Sequence, residues 1–264
     1  RDPAAISAHI DQTQQAGADF WAMSWWGPTS AEDTTIRDYY LSHPRFGEMD
    51  FVIHYESKGR FKDFTNPEYS TFIDDFRHLA TYYFAEPNYL TIDGKPVVFI
   101  YLTRAFFKDQ ESRDLVGTMR DTIRQEFGYD LYLVGDDFFG NGKVNFDRAR
   151  LWDVITNFDV YGSVLRGLDS TSEALYRLED QYDTARAAAH SLGVGFVPTA
   201  TPGFNTRGNH PAAPRYMEDE VVRVHGALFE NMLRDAVVPR TDQRGVDLLM
   251  INSFNEWHED TQIE

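Results

Sequence analysis

Short, nearly continuous apolar runs alternate with helix-length segments along the whole chain, and this alternation limits the fold more than any other feature. The pattern predicts strands over Asp19–Trp26, Met49–Glu56, Lys95–Leu102, Asp130–Asp136, Ile155–Gly162, Val194–Ala200 and Val246–Ser253. Around them it predicts helices over Ala4–Ala16, Thr34–His43, Asn66–Phe84, Glu111–Phe127, Asp147–Asp153, Ser170–Leu192 and Met217–Ala236. Strands that are apolar on both faces and separated by helices belong in a parallel sheet covered on both sides.

Polar and aromatic residues gather where these strands end: Ser24-Trp25-Trp26, His54-Tyr55-Glu56, Tyr101, Asp136-Asp137, Asn157 with Asp159 and Tyr161, Thr201 with Asn205 and Arg207, and Asn255-Glu256. An open doubly wound sheet uses only the strands at its switch point, whereas a barrel collects every C-terminal strand end around one mouth. The expected fold class is therefore α/β, a (β/α)8 TIM barrel forming a single domain over residues 1–264. Seven strands are countable and the chain begins and ends in half-units, so the first strand and last helix are expected to be missing from it.

Composition removes several functions. With 42 acidic against 25 basic residues the formal net charge is −17, which disfavours a nucleic-acid backbone or an anionic membrane as partner. The absence of cysteine excludes disulfides, thiolate metal sites and a cysteine nucleophile. No run of 18 apolar residues is present. Neither a glycine-rich phosphate loop nor a G-x-S-x-G elbow follows any strand, which argues against nucleotide and serine-esterase chemistry.

The segment richest in chemistry is the last, Asn252-Ser253-Phe254-Asn255-Glu256-Trp257-His258-Glu259-Asp260-Thr261-Gln262-Ile263-Glu264. Glu256 and Glu259 are three apart, and one turn would set them side by side. Two close carboxylates repel, which separates an acid from a base, the division of labour that glycoside hydrolysis needs. The same string also reads as a plain acidic loop. His54, Glu56, His258 and Glu259 are alternatives as metal ligands. Of Trp25 and Trp26, strand alternation puts one toward a ligand and one into the core. Arg207 sits on a Pro/Gly loop, where it would orient a hydroxyl or a carboxylate or else be solvated. Lys58, Arg60 and Lys62 read as a solvated basic loop.

Taken in order, Ser24-Trp25-Trp26-Gly27-Pro28, His54-Tyr55-Glu56, Gly94-Lys95-Pro96, Asn157-Phe158-Asp159 with Tyr161, Pro202-Gly203-Phe204 and above all Ser253 to Glu264 resemble glycoside hydrolase family 99. The likeness runs from Trp21 to Glu264. It implies a barrel that cleaves internal α-mannosidic bonds with retention and without a cofactor or metal. It also implies that Glu256 draws the proton from the sugar's own 2-hydroxyl, giving a 1,2-anhydro sugar. Glu259 would protonate the leaving oxygen and then activate water. By the same carry-over His54, Glu56, Tyr101, Asp159, Tyr161 and Arg207 line the mannose subsites, and Trp25, Trp26, Asn255, Trp257 and His258 are further expected glycan-binding residues. The family has Gly where this chain has Asp260. The expected substrate is an oligosaccharide or polysaccharide, and the expected protein a monomer, extracellular or periplasmic. A non-hydrolytic glycan-binding or glycan-assembly barrel and a metal-dependent barrel hydrolase are the competing readings.

Overall fold

The computed structural model describes residues 2–138, 142–160, 171–204, 226–259 and 261–263. The chain divides into two compact units, Arg1–Gly135 and Asp136–Glu264.

In the first unit, α1 (Pro3–Ala16) begins at Asp2, whose carboxylate accepts the Ala4 N–H, and ends at Gly17 in the left-handed conformation. Then follow β1 (Phe20–Trp25), α2 (Ala31–Thr35) with a π-helical continuation over Ile36–Tyr40, β2 (Asp50–Tyr55), α3 (Ser57–Phe61) and α4 (Phe72–Tyr82). The unit closes with β3 (Thr91–Ile92), β4 (Lys95–Ile100), α5 (Thr103–Phe106), α6 (Gln110–Phe127) and β5 (Tyr132–Asp136). Strands β1, β2, β4 and β5 pair in that order and are all parallel. The sheet is filled as its sequence dictates: every residue of β5, and all but the first of β2 and β4, is buried.

Two expectations fail here for local reasons. The helix expected from Asn66 starts at Phe72, because the Asp63 carboxylate takes the Thr65 and Asn66 amides and holds a turn instead. The short strand β3 was not expected. It runs antiparallel to β4 across Asp93-Gly94, whose φ values of 51° and 73° are those of a tight hairpin turn.

The second unit holds α7 (Phe146–Ala149), β6 (Val154–Thr156), α8 (Thr171–Ser191), β7 (Gly195–Val197), β8 (Thr199–Ala200), α9 (Ala227–Asn231) with a π-helical continuation over Met232–Val237, and β9 (Met250–Ile251). The single strand expected over Val194–Ala200 is two: β7 pairs with β6, and β8 with β9, both parallel. The break falls at Pro198, which has no N–H to give, although its carbonyl still accepts Met250 N at 2.9 Å. Beside the break, the buried Tyr182 hydroxyl donates to Thr199 O at 2.6 Å and accepts Thr199 N at 3.2 Å. Tyr89 does the same in the first unit, donating to Val97 O at 2.7 Å and accepting Ile53 N at 3.2 Å.

The helix expected over Met217–Ala236 lies partly outside the described residues, and its described part starts only at Ala227, after Gly226 at φ 67°. The strand expected from Val246 is reduced to Met250–Ile251, because Val246 and Asp247 both take positive φ. Among the described residues no helix is long and apolar enough to cross a membrane.

One buried carboxylate ties the first unit together. Asp33 accepts Trp25 Nε1 at 2.8 Å, His78 Nε2 at 2.9 Å, Tyr83 Oη at 2.5 Å and Thr29 N at 3.0 Å. Burial raises its pKa, but the donors from Tyr83, Trp25, His78 and Thr29 together outweigh burial and hold it below 3.8. Replacing Asp33 with Ala orphans four donors and is expected to cost about 3–5 kcal/mol of unfolding free energy in urea melts. With the folded pKa below the unfolded one, the ionised form stabilises the fold above pH about 4, and this contribution is lost as pH falls further. The stability gap between wild type and Asp33→Asn should therefore narrow on acidification, as measured by melts between pH 3 and pH 6.

Candidate active site

Strand register places the polar residues of the first unit. In the β1–β2 pairing Ser24 lies beside His54 and Trp25 beside Tyr55. Because side chains alternate across a strand, Ser24, Trp26, His54 and Glu56 share one face while Trp25 and Tyr55 share the other. On the first face the Ser24 hydroxyl donates to Glu56 Oε1 at 2.6 Å. Trp26 Nε1 donates to Ser24 Oγ at 3.0 Å, and His54 Nδ1 lies 3.1 Å from the same Glu56 oxygen. The His54 and Tyr101 rings are 5.7 Å apart. The face thus sets a carboxylate and an imidazole, both able to hydrogen-bond hydroxyls, next to aromatic rings.

The two tryptophans divide sharply, Trp26 being 43% exposed and Trp25 0%. Trp25 stacks on Tyr55 at 5.8 Å and gives its N–H to Asp33, so it is a core residue and not a sugar ligand.

Arg60 also departs from the sequence reading. Far from being solvated, it pairs with the buried Asp75 of α4, Nε to Oδ2 at 2.8 Å and Nη2 to Oδ1 at 2.7 Å, and Tyr55 Oη donates to the same carboxylate at 2.8 Å. The Asp75 hydrogen bonds raise the Arg60 pKa, and burial pushes the Tyr55 phenol well up. The clamp fixes α3 against the end of β1, where Gly27 at φ 117° leaves room for the guanidinium that a side chain would strike. Neither partner is signalled in the sequence, since they stand fifteen residues apart on different helices.

In the second unit Glu256 and Glu259 follow β9 in one short closed loop. Ser253 N donates to Thr261 O at 3.0 Å, their hydroxyls meet at 2.6 Å, and Thr261 N donates to Glu256 O at 3.2 Å. Glu256 N donates to Ser253 Oγ at 3.0 Å, and Glu256 Oε1 takes His258 N at 2.9 Å with His258 Nδ1 at 3.3 Å. Residues 257–259 form the turn between the carboxylates. The Glu256 side chain is 46% exposed, Trp257 is 58% exposed, and Asn255 and His258 are exposed as well. The loop is anchored by Asn252, whose amide N–H donates to Ala200 O at 2.9 Å and whose side chain donates to Phe158 O at 3.1 Å.

Asp159 is half-buried nearby in sequence. Asp136 is spent on the Phe158 amide at 3.1 Å, and Asp137 on the Arg148 guanidinium. Tyr161, Asn205, Arg207 and Asp260 lie outside the described residues. Among the described residues no group of three or more His, Asp or Glu is arranged to hold a metal.

A model of glycosyl hydrolase family 99 matches residues 1–264, the entire chain. The chain belongs to this family. Among curated proteins it is similar to a glycoprotein endo-alpha-1,2-mannosidase-like protein of Danio rerio, 23% identical over 100% of this chain and 56% of the relative. It is also similar to the glycoprotein endo-alpha-1,2-mannosidase of Rattus norvegicus, 21% identical over 100% and 54%. It thus spans little more than half the length of these relatives. Among solved structures, a glycoside hydrolase-like protein superposes with a TM-score of 0.73 at 19% identity, covering 100% of this chain and 79% of its own. A family 99 endo-alpha-mannosidase from Bacteroides thetaiotaomicron superposes with a TM-score of 0.68 at 18% identity, covering 100% and 70%. These likenesses give the fold as an α/β barrel of the TIM type.

The closed loop has a measurable signature. Ser253→Ala removes the acceptor of the Glu256 amide and the partner of the Thr261 hydroxyl. Hydrogen exchange at Glu256 N–H should accelerate about tenfold, with a melting temperature lowered by no more than about 4 °C.

Proposed function

We propose that this chain is the catalytic part of an endo-acting glycoside hydrolase that cleaves internal α-mannosidic bonds, with Glu256 and Glu259 as its catalytic pair. The observation that carries the reading is the self-closed loop after β9, which presents two carboxylates in one turn within a chain of this family. The name borne by the relatives, endo-alpha-1,2-mannosidase, supplies the bond to test first.

In this scheme Glu256 takes the proton of the sugar's 2-hydroxyl as that oxygen attacks the anomeric carbon. The bond to the leaving oxygen breaks, Glu259 gives that oxygen a proton, and a 1,2-anhydro sugar results. Glu259, now ionised, draws a proton from water, which opens the anhydride at the anomeric carbon, while Glu256 returns its proton to O2. Configuration is retained because inversion occurs twice. A base and an acid of different proton affinity are required. The hydrogen bond from the His258 amide orients the Glu256 carboxylate. Glu56, His54, Tyr101 and Trp26 bind sugar rings, and Asp159, Tyr161, Arg207, Asn255, Trp257 and His258 complete the assignment. The proposed compartment, extracellular or periplasmic, follows from the substrate class alone.

Glu256→Gln and Glu259→Gln should each lower hydrolysis of an α-1,2-linked mannan oligosaccharide by about a thousandfold or more while leaving binding of the same oligosaccharide intact by calorimetry. Full activity in either variant overturns the assignment. Loss of wild-type activity in a chelator, restored by a divalent metal, would favour the metal-dependent hydrolase instead.

A further inference from the structure

We propose that Ser24 and Gly59 are positioning residues that set the Trp26 ring as a stacking platform in register with the Glu56 carboxylate. The inference rests on the reading of Trp26 and Glu56 as glycan-binding groups and goes beyond it, since neither Ser24 nor Gly59 is assigned a role there.

The Ser24 hydroxyl carries one proton and donates it to Glu56 Oε1 at 2.6 Å. Its lone pair is then what receives Trp26 Nε1–H at 3.0 Å. The indole nitrogen and the carboxylate are thus joined through a single oxygen, and neither group moves without pulling on the other. An indole exposed to 43% has water available for its N–H; here the N–H is given to the protein instead, which fixes the rotation of the ring.

A second contact fixes the ring from the side. A Cβ placed on Gly59 would lie 2.3 Å from Trp26 Cε3 and 2.8 Å from Cζ3, so the six-membered ring rests directly on the α3 backbone. Helix α3 is itself held by the Arg60–Asp75 pair, with contacts of 2.7 and 2.8 Å. Glycine is a poor helix former, and its φ here is not one that requires glycine. The residue serves the approach of the ring rather than the backbone.

Glu56 Oε1 takes the hydrogen bonds from both Ser24 and His54. No described residue bonds Oε2 of this carboxylate, which leaves that oxygen to accept from a ligand. A matching ligand is a pyranose with one apolar C–H face over the indole and a hydroxyl directed at Glu56 Oε2. The separation of those two features in the sugar must equal the one that Ser24 and Gly59 impose. Both residues therefore act on recognition, and through recognition on which epimer is accepted.

The test uses the full chain, with the Trp26 indole N–H resonance of the free protein and the KM and kcat for an α-1,2-linked mannan oligosaccharide as readouts. Ser24→Ala should shift that resonance and speed its exchange with solvent about tenfold. It should also raise KM about three- to tenfold with kcat within about twofold, as for loss of one neutral hydrogen bond in binding. Ser24→Thr, which keeps the hydroxyl, should restore both readouts. Gly59→Ala should displace the ring, shift the resonance and raise KM in the same sense. Trp26→Ala should raise KM at least as much as either.

If Trp26→Ala leaves KM unchanged, the sugar-binding reading fails and takes the proposal with it. If Trp26→Ala raises KM while Ser24→Ala and Gly59→Ala leave resonance and KM unmoved, the positioning proposal alone is overturned. A fall in melting temperature and kcat with KM unmoved assigns Ser24 a merely structural role, and also overturns it.

Discussion

The register between β1 and β2 is the constraint on which the first unit depends. A parallel pair can slip only in whole residues, and a slip of one turns every side chain to the opposite face. The observed pairing sets Ser24 beside His54 and Trp25 beside Tyr55. From that arithmetic one face receives a serine, a histidine, a glutamate and an exposed indole, and the other receives the indole and phenol buried over Asp33 and Asp75. A tryptophan pair that looks redundant in sequence is therefore two residues with opposite duties, and the buried one keeps the register that aims the exposed one.

The two units hold their carboxylates by different means. Glu56 is buried and held by side chains from neighbouring positions of the sheet, Ser24 and His54. Glu256 is half-exposed and held by the backbone and side chain of its own loop, through His258 and Ser253. The first arrangement fixes a carboxylate from two sides. The second leaves a carboxylate in contact with solvent, on a loop whose ends are closed by Ser253 and Thr261.

Much of this was legible in the sequence because it rests on periodicity. The strands of the first unit and the long helix α8 fall where apolar spacing puts them, with Gly17 and Gly128 closing α1 and α6 at positive φ as glycines do at helix ends. The clustering of polar residues at strand ends and the string from Ser253 to Glu264 carried the family resemblance. What escaped was decided by single atoms or by partners distant in sequence. Pro198 lacks one hydrogen and divides a strand, two residues at positive φ shorten another, and Asp63 captures two amides that would have begun a helix. The Arg60–Asp75 clamp joins residues on separate helices, and the contact of Gly59 with Trp26 depends on a missing methyl group, which no spacing announces.

The phenol of Tyr182 has a mechanical meaning. Its oxygen stands in a β-ladder at the gap beside Pro198, bonded to both the amide and the carbonyl of Thr199, so a helix side chain there does the work of a strand. Helix α8 and the β8–β9 pair are thereby geared to each other, and β9 runs directly into the loop of Glu256. Because one phenol oxygen stands in for a strand partner at that gap, the start of the β8–β9 pair depends on a single side chain of α8.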